Sequence, residues 1–294
     1  MLQIKSSLIL TLIVITAGIC TPAEAAIPNQ QVSGIPANIP SFPDPAQDIK
    51  FAGEVYTADF NGINVLVYDG GGSSYIQQAL PMIGISVFDL RTPSNPVTLT
   101  DLTTHDILIV GWNMGGNMSG LSPAILFSGI TGNILLTGHD ADRHAYIGNV
   151  AAKTFLSQAI SFVTSSPGTG MVALADYSNS TGFSYLPNAW GIYATGRLII
   201  DNITSFTPEG LASGVFNGLT PANMSGWGAS YHDKFTAWGS QFVSFELGNS
   251  NLDVVTIAKV APPSVVTITK VDDVNDGDCV VPDSEINYTI TYDY

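Results

Sequence analysis

The sequence predicts an α/β protein built on a doubly wound, mostly parallel sheet. Three observations carry that expectation. Short β-branched runs alternate with helical segments between residues 63 and 175. The runs are almost continuously apolar, as strands covered on both faces must be. Most of them end in glycine or a polar turn.

The elements follow in order. Ile63 to Tyr68 reads as a buried first strand, ending at Asp69-Gly70-Gly71-Gly72. Ser73 to Ile83 is a short helical stretch and Ile85 to Leu90 a second strand. Asp106 to Val110 is a third, closed by Gly111-Trp112-Asn113-Met114-Gly115-Gly116. Leu121 to Ile130 reads as helix and Asn133 to Thr137 as a fourth strand. From Ile147 to Val163 apolar residues recur at helical spacing, and Met171 to Ala175 is a fifth strand. After Tyr177 the chain turns to Gly, Asn, Ser and aromatic residues. There Leu198–Ile200 and Val254–Ala258 read as late strands and the rest as long loops.

The ends of the chain read differently. Lys5, the apolar run Leu8 to Ile19 and the small-x-small site Ala23-Glu24-Ala25 follow the plan of a secretory signal peptide, so residues 1–25 are expected to be removed on export. The product is expected to be secreted, in the periplasm, outside the cell or on its surface, with no membrane span left. Residues 26–50 form a proline-rich leader, and the α/β domain is expected over 51–261. Beyond Pro262-Pro263 two alternating segments, Val265–Lys270 and Ile286–Tyr292, open a truncated β-sandwich over 262–294. Asp272 to Asp278 gathers aspartates as a calcium loop does, but Val274 stands at a ligand position, and a solvated acidic turn is the simpler reading.

Composition removes whole classes of function. Nine Lys and Arg against 24 Asp and Glu leave a net charge of -15, which repels phosphate and excludes a nucleic-acid binder. Once the signal is removed Cys279 stands alone, so an intramolecular disulfide is excluded. No cofactor or metal motif is present: Asp69 to Ser74 has Tyr75 where a dinucleotide fingerprint needs its third glycine, and no Walker lysine follows.

The segment Ile63 to Ala258 resembles the class I glutamine amidotransferase-like superfamily, in the branch similar to trehalose-utilisation (ThuA-like) proteins. The resemblance rests on the glycine-rich turn Gly111–Gly116, the strand-to-helix turn Thr137-Gly138-His139-Asp140 and the stretch Val215-Phe216-Asn217-Gly218-Leu219-Thr220. It implies a flavodoxin-like fold with the site at the turn after the fourth strand. It also implies a nucleophilic Cys at that turn, where this chain has His139 and Asp140, so glutaminase chemistry fails at its central residue. The tail, with Thr269-Lys270, Pro282-Asp283 and Tyr288-Thr289-Ile290, resembles the opening of the repeat domain DUF11 of bacterial surface proteins.

The candidate catalytic residues are His139 and Asp140, at the carboxyl end of a central strand where open α/β sheets place their ligands, together with His232. The alternative is that Asp140 or Asp142 caps the next helix while the histidines line a loop. Asp69, Gly71, Gly115, Gly116, Asp142 and Trp227 are the candidate ligand-binding residues. The glycines serve equally well as tight turns and Trp227 as part of a hydrophobic cluster. The missing nucleophile favours a non-catalytic binding or structural module facing a glycan or other surface component. The rival reading is a carbohydrate-active hydrolase using His139, Asp140 and His232.

Overall fold

The computed structural model describes residues 60–71, 74–112, 116–176, 183–199, 202–227 and 231–261, all in the unit Pro43–Pro262. The signal peptide, the leader, Gly115, the acidic turn at 272–278 and the β segment 262–294 lie outside the described residues.

The fold is mixed α/β, with ten strands in one sheet among the described residues. Strands β1 (Val65–Tyr68), β2 (Asp89–Arg91), β3 (Ile107–Val110), β4 (Ile134–Thr137) and β5 (Gly170–Ala173) run parallel in the order β2-β1-β3-β5-β4. All but the edge strand β2 are completely buried, which is why their sequences are unbroken apolar runs. A flavodoxin-like order places the fourth strand beside the third. Here β5 lies between β3 and β4, so the winding differs at those two strands.

Helices cover both faces. On one side α1 (Ile76–Ala79), α4 (Ala141–Tyr146), α5 (Val150–Thr164) and α7 (Pro221–Ser225) bury Ile76, Ala141, Phe155, Ile160 and Met224 against Val65, Ile107, Leu135 and Val172. On the other, α2 (Leu99–Thr104) and α3 (Pro123–Gly129) bury Leu102 and Leu126 against Leu66, Leu108 and Leu136. Helix α5 starts at Asn149, whose side chain accepts the Ala152 N–H at 3.0 Å. Helix α2 starts with a reciprocal capping box between Thr98 and Asp101.

The second half of the domain is more regular than its composition suggests. Instead of long loops it holds β6 (Tyr193–Ile199), β7 (Ile203–Phe206), α6 (Pro208–Ala212), α7, β8 (Tyr231–Ala237), β9 (Val243–Gly248) and β10 (Asp253–Lys259). Strand β10 contains the expected Val254–Ala258 and β6 overlaps the expected Leu198–Ile200, whereas β8 and β9 carry His, Asp, Lys, Thr and Glu among the apolar residues, so no continuous hydrophobic run announces them. The second predicted strand is also shorter: only Asp89–Arg91 pairs, because Ile85 folds back to donate its N–H to the Leu80 carbonyl.

Strand β10 joins the two halves. Along one edge its later residues pair antiparallel with β4, Thr256 opposite Thr137, while Val254 pairs with Phe235 of β8. It also pairs antiparallel with β9. Strand β8 therefore takes up where β4 stops, and this brings residues 231–233 to the carboxyl end of the parallel strands.

Candidate functional site

The turn after β4 is built by close backbone packing. Gly138 donates its N–H to the Val255 carbonyl at 2.8 Å and accepts the His232 N–H at 2.7 Å. A Cβ added at Gly138 would lie 1.9 Å from the Asp233 carbonyl oxygen. Only glycine lets β8 cross this closely. The chain then enters α4, with Asp140 at the N-cap position but making no capping bond.

Asp140 is turned inward. Its Oδ1 lies 3.2 Å from His144 Nε2, one helical turn on, and its Oδ2 lies 3.2 Å from His232 Nε2. These are ion-pair contacts whose angles lie off those of aligned hydrogen bonds. Arg143 Nη1 approaches Oδ2 at 3.8 Å. Burial opposes ionisation of Asp140, yet the two histidines outweigh it and hold the carboxyl below the usual carboxylate range. Asp140 is fully buried, while the His144 and His232 side chains keep 7% and 4% exposure. Trp112 stacks on His232 with centroids 5.2 Å apart, and the Arg143 guanidinium sits 5.4 Å from the Trp112 ring centroid.

Of the predicted catalytic residues, then, Asp140 and His232 meet directly and His139 is engaged elsewhere. Its Nε2 lies 2.9 Å from Glu246 Oε2, which also accepts the Thr256 hydroxyl at 2.6 Å. Its ring packs against Trp227 and Phe155. Trp227 is itself buried and donates Nε1–H to the Asn223 carbonyl at 2.9 Å. It is a wall between His139 and His144 rather than an open platform.

Asp142 ties three segments together. Its Oδ2 accepts the Tyr75 and Trp112 backbone N–H groups at 3.1 and 3.2 Å, and its Oδ1 that of Arg143 at 2.8 Å. Burial, aided by the neighbouring Asp140 charge, outweighs these donors and raises its carboxyl to about 7. Asp69 accepts the Gly71 N–H at 2.8 Å and Gln77 Nε2 at 2.7 Å, a local turn that Gly71 completes at φ 80. Gly70 accepts the Asn117 N–H at 2.8 Å, which sets this turn against the segment just after Gly116.

Several residues of the site escape sequence reasoning. His144 had a signal, the four-residue step from Asp140. Arg143 lies in the same cluster, three residues from Asp140, whereas Trp112 and Glu246 had no signal, since their partners are distant in the chain. A second acidic group, Asp176 and Asp233 near Tyr185, is also buried. Burial and then the Asp176 charge raise Asp233 to about 7, and they lift the Tyr185 phenol further above its ordinary value. Among the described residues no group of three His, Cys, Asp or Glu side chains is arranged to hold a metal ion, and no helix is long and apolar enough to cross a membrane.

A carboxylate that fixes two imidazoles can keep one ready to accept a proton and the other to give one. Comparisons with family models, with curated proteins and with solved structures find no match for this chain.

Proposed function

We propose that the α/β unit belongs to an exported protein and handles saccharides by acid–base hydrolysis, with Asp140, His144 and His232 as its working centre. The observation that carries this reading is the single ionised carboxylate of Asp140 shared by two histidines from different elements, at the carboxyl edge of the parallel strands. In this reading His232 takes a proton from the attacking water, Asp140 stabilises the imidazolium that forms, and His144 gives a proton to the leaving oxygen. The proposal keeps the degenerate amidotransferase-like ancestry, with no nucleophilic Cys, and the DUF11-type tail of a surface protein. His139, bonded to Glu246, is a structural residue of this centre.

The test is release of reducing ends from a polysaccharide panel by the purified protein. His232→Gln and Asp140→Asn are each expected to lower turnover at least about 100-fold. Unchanged turnover in Asp140→Asn removes the proposed role. One observation favours a second reading, a non-catalytic binding or structural module: the centre is almost wholly buried. Saccharide binding without turnover by the unmutated protein would establish the module and dismiss the hydrolase.

A further inference from the structure

Beside the buried centre lies a half-exposed ledge. Arg143 and Tyr146 occupy one face of α4, three residues apart, with the Arg143 side chain 46% and Tyr146 42% exposed. Tyr146 stacks on Tyr75, centroids 5.2 Å apart and ring planes 17° from parallel. Tyr75 and Arg143 are held at their backbones by Asp142, which accepts the N–H groups of both.

We infer that this ledge is a subsite for a sugar bearing a carboxylate, with the Arg143 guanidinium as the partner of the carboxylate and the Tyr146 ring as the platform for the sugar. The inference rests on the saccharide reading above but needs only binding, not turnover. Three observations support it. The guanidinium is positioned over Trp112, yet among the described residues it makes no hydrogen bond, and its nearest acid oxygen, at 3.8 Å, is beyond hydrogen-bond reach. Its planar fork of donors matches a carboxylate. Arg91 and Lys234 are engaged by Asp101 and Asp253, whereas the Arg143 guanidinium stands beside the centre with donors to spare. A single guanidinium balances one negative charge, which suits a carboxylate better than a phosphate dianion in a chain of net charge -15. The adjoining aromatic ring favours the apolar face of a pyranose over a linear acid.

Isothermal titration of the full chain with an oligogalacturonate and with its carboxyl-reduced, neutral counterpart tests the inference. The acid is expected to bind at least about ten-fold more tightly than the neutral sugar. Arg143→Met should bring the acid to the level of the neutral sugar, while Arg143→Lys keeps part of the difference. Tyr146→Ala should weaken both. Equal affinity for the two sugars, or Arg143→Met without effect on the acid, overturns the carboxylate subsite while leaving the saccharide reading in place. Failure of both sugars to bind overturns the two together. Arg143 and Tyr146 are surface positions, and an unchanged thermal melt of each variant shows that the fold is retained.

Discussion

Glu246 shows how much one buried side chain carries. It is fully buried, as is the imidazole it meets, and it also takes the Thr256 hydroxyl. Thr256 in turn lies 2.9 Å from the Thr137 hydroxyl, so four residues of three strands and a turn form one polar chain within the apolar core. Glu246→Ala leaves His139 and Thr256 without that acceptor and is expected to cost about 3 kcal/mol, read from chemical denaturation. A loss below about 0.5 kcal/mol would mean that the network is not structural. The pairing of Asp140 with His232 was legible in the sequence, because residues able to do chemistry concentrate at 139–144 and 232–233. The role of His139 was not. Side chains on either side of a peptide bond face differently, and nothing local marks Glu246 as its partner 107 residues away.

Among the elements, the buried parallel strands could be read directly, since each is covered on both faces and has no polar register to confuse the pattern. In the antiparallel half β10 and the end of β6 could be read, at Val254–Ala258 and Leu198–Ile199, but β7, β8 and β9 could not. Strand β8 places His232 and Asp233 in the interior and β9 does the same with Glu246. Chemistry therefore broke the alternation by which strands are recognised. Gly138 is where β8 crosses the end of β4. Gly138→Ala would force the new methyl onto the Asp233 carbonyl. The expected result is a loss of about 3 kcal/mol or more, with His232 displaced from Asp140. A variant that melts like the unmutated protein would show that β8 does not pack there.

For the whole molecule, four shifted carboxyls give opposite pH dependences, with the lowered Asp140 acting in the same direction as Asp101. Asp142 and Asp233 are raised from 3.8 to about 7 in the folded protein. They bind protons more tightly folded than unfolded, so their contribution is full below about pH 4 and is lost as pH rises towards 7. Asp101 runs the other way. Burial would raise it, but Arg91 and the Thr98 cap bring it to about 2, and its contribution is present above pH 4 and lost as pH falls through 2. The melting temperature is therefore expected to peak at mildly acidic pH and to decline towards neutrality. Asp142→Asn combined with Asp233→Asn should flatten that decline. Stability rising from pH 4 to 7 would contradict it.

The pairing of β4 with β10 also sets an order of events. Thr137 waits for Thr256, His139 for Glu246, and the Asn133 side chain for the Ala261 N–H, separations of 119, 107 and 128 residues. Such distant closures are slow, and they cannot begin until Glu246, Thr256 and Ala261 have left the ribosome. The nascent chain thus has no means of completing this polar network early. A chain whose halves are tied this late stays open to the end of its synthesis, the form that export through a pore would require.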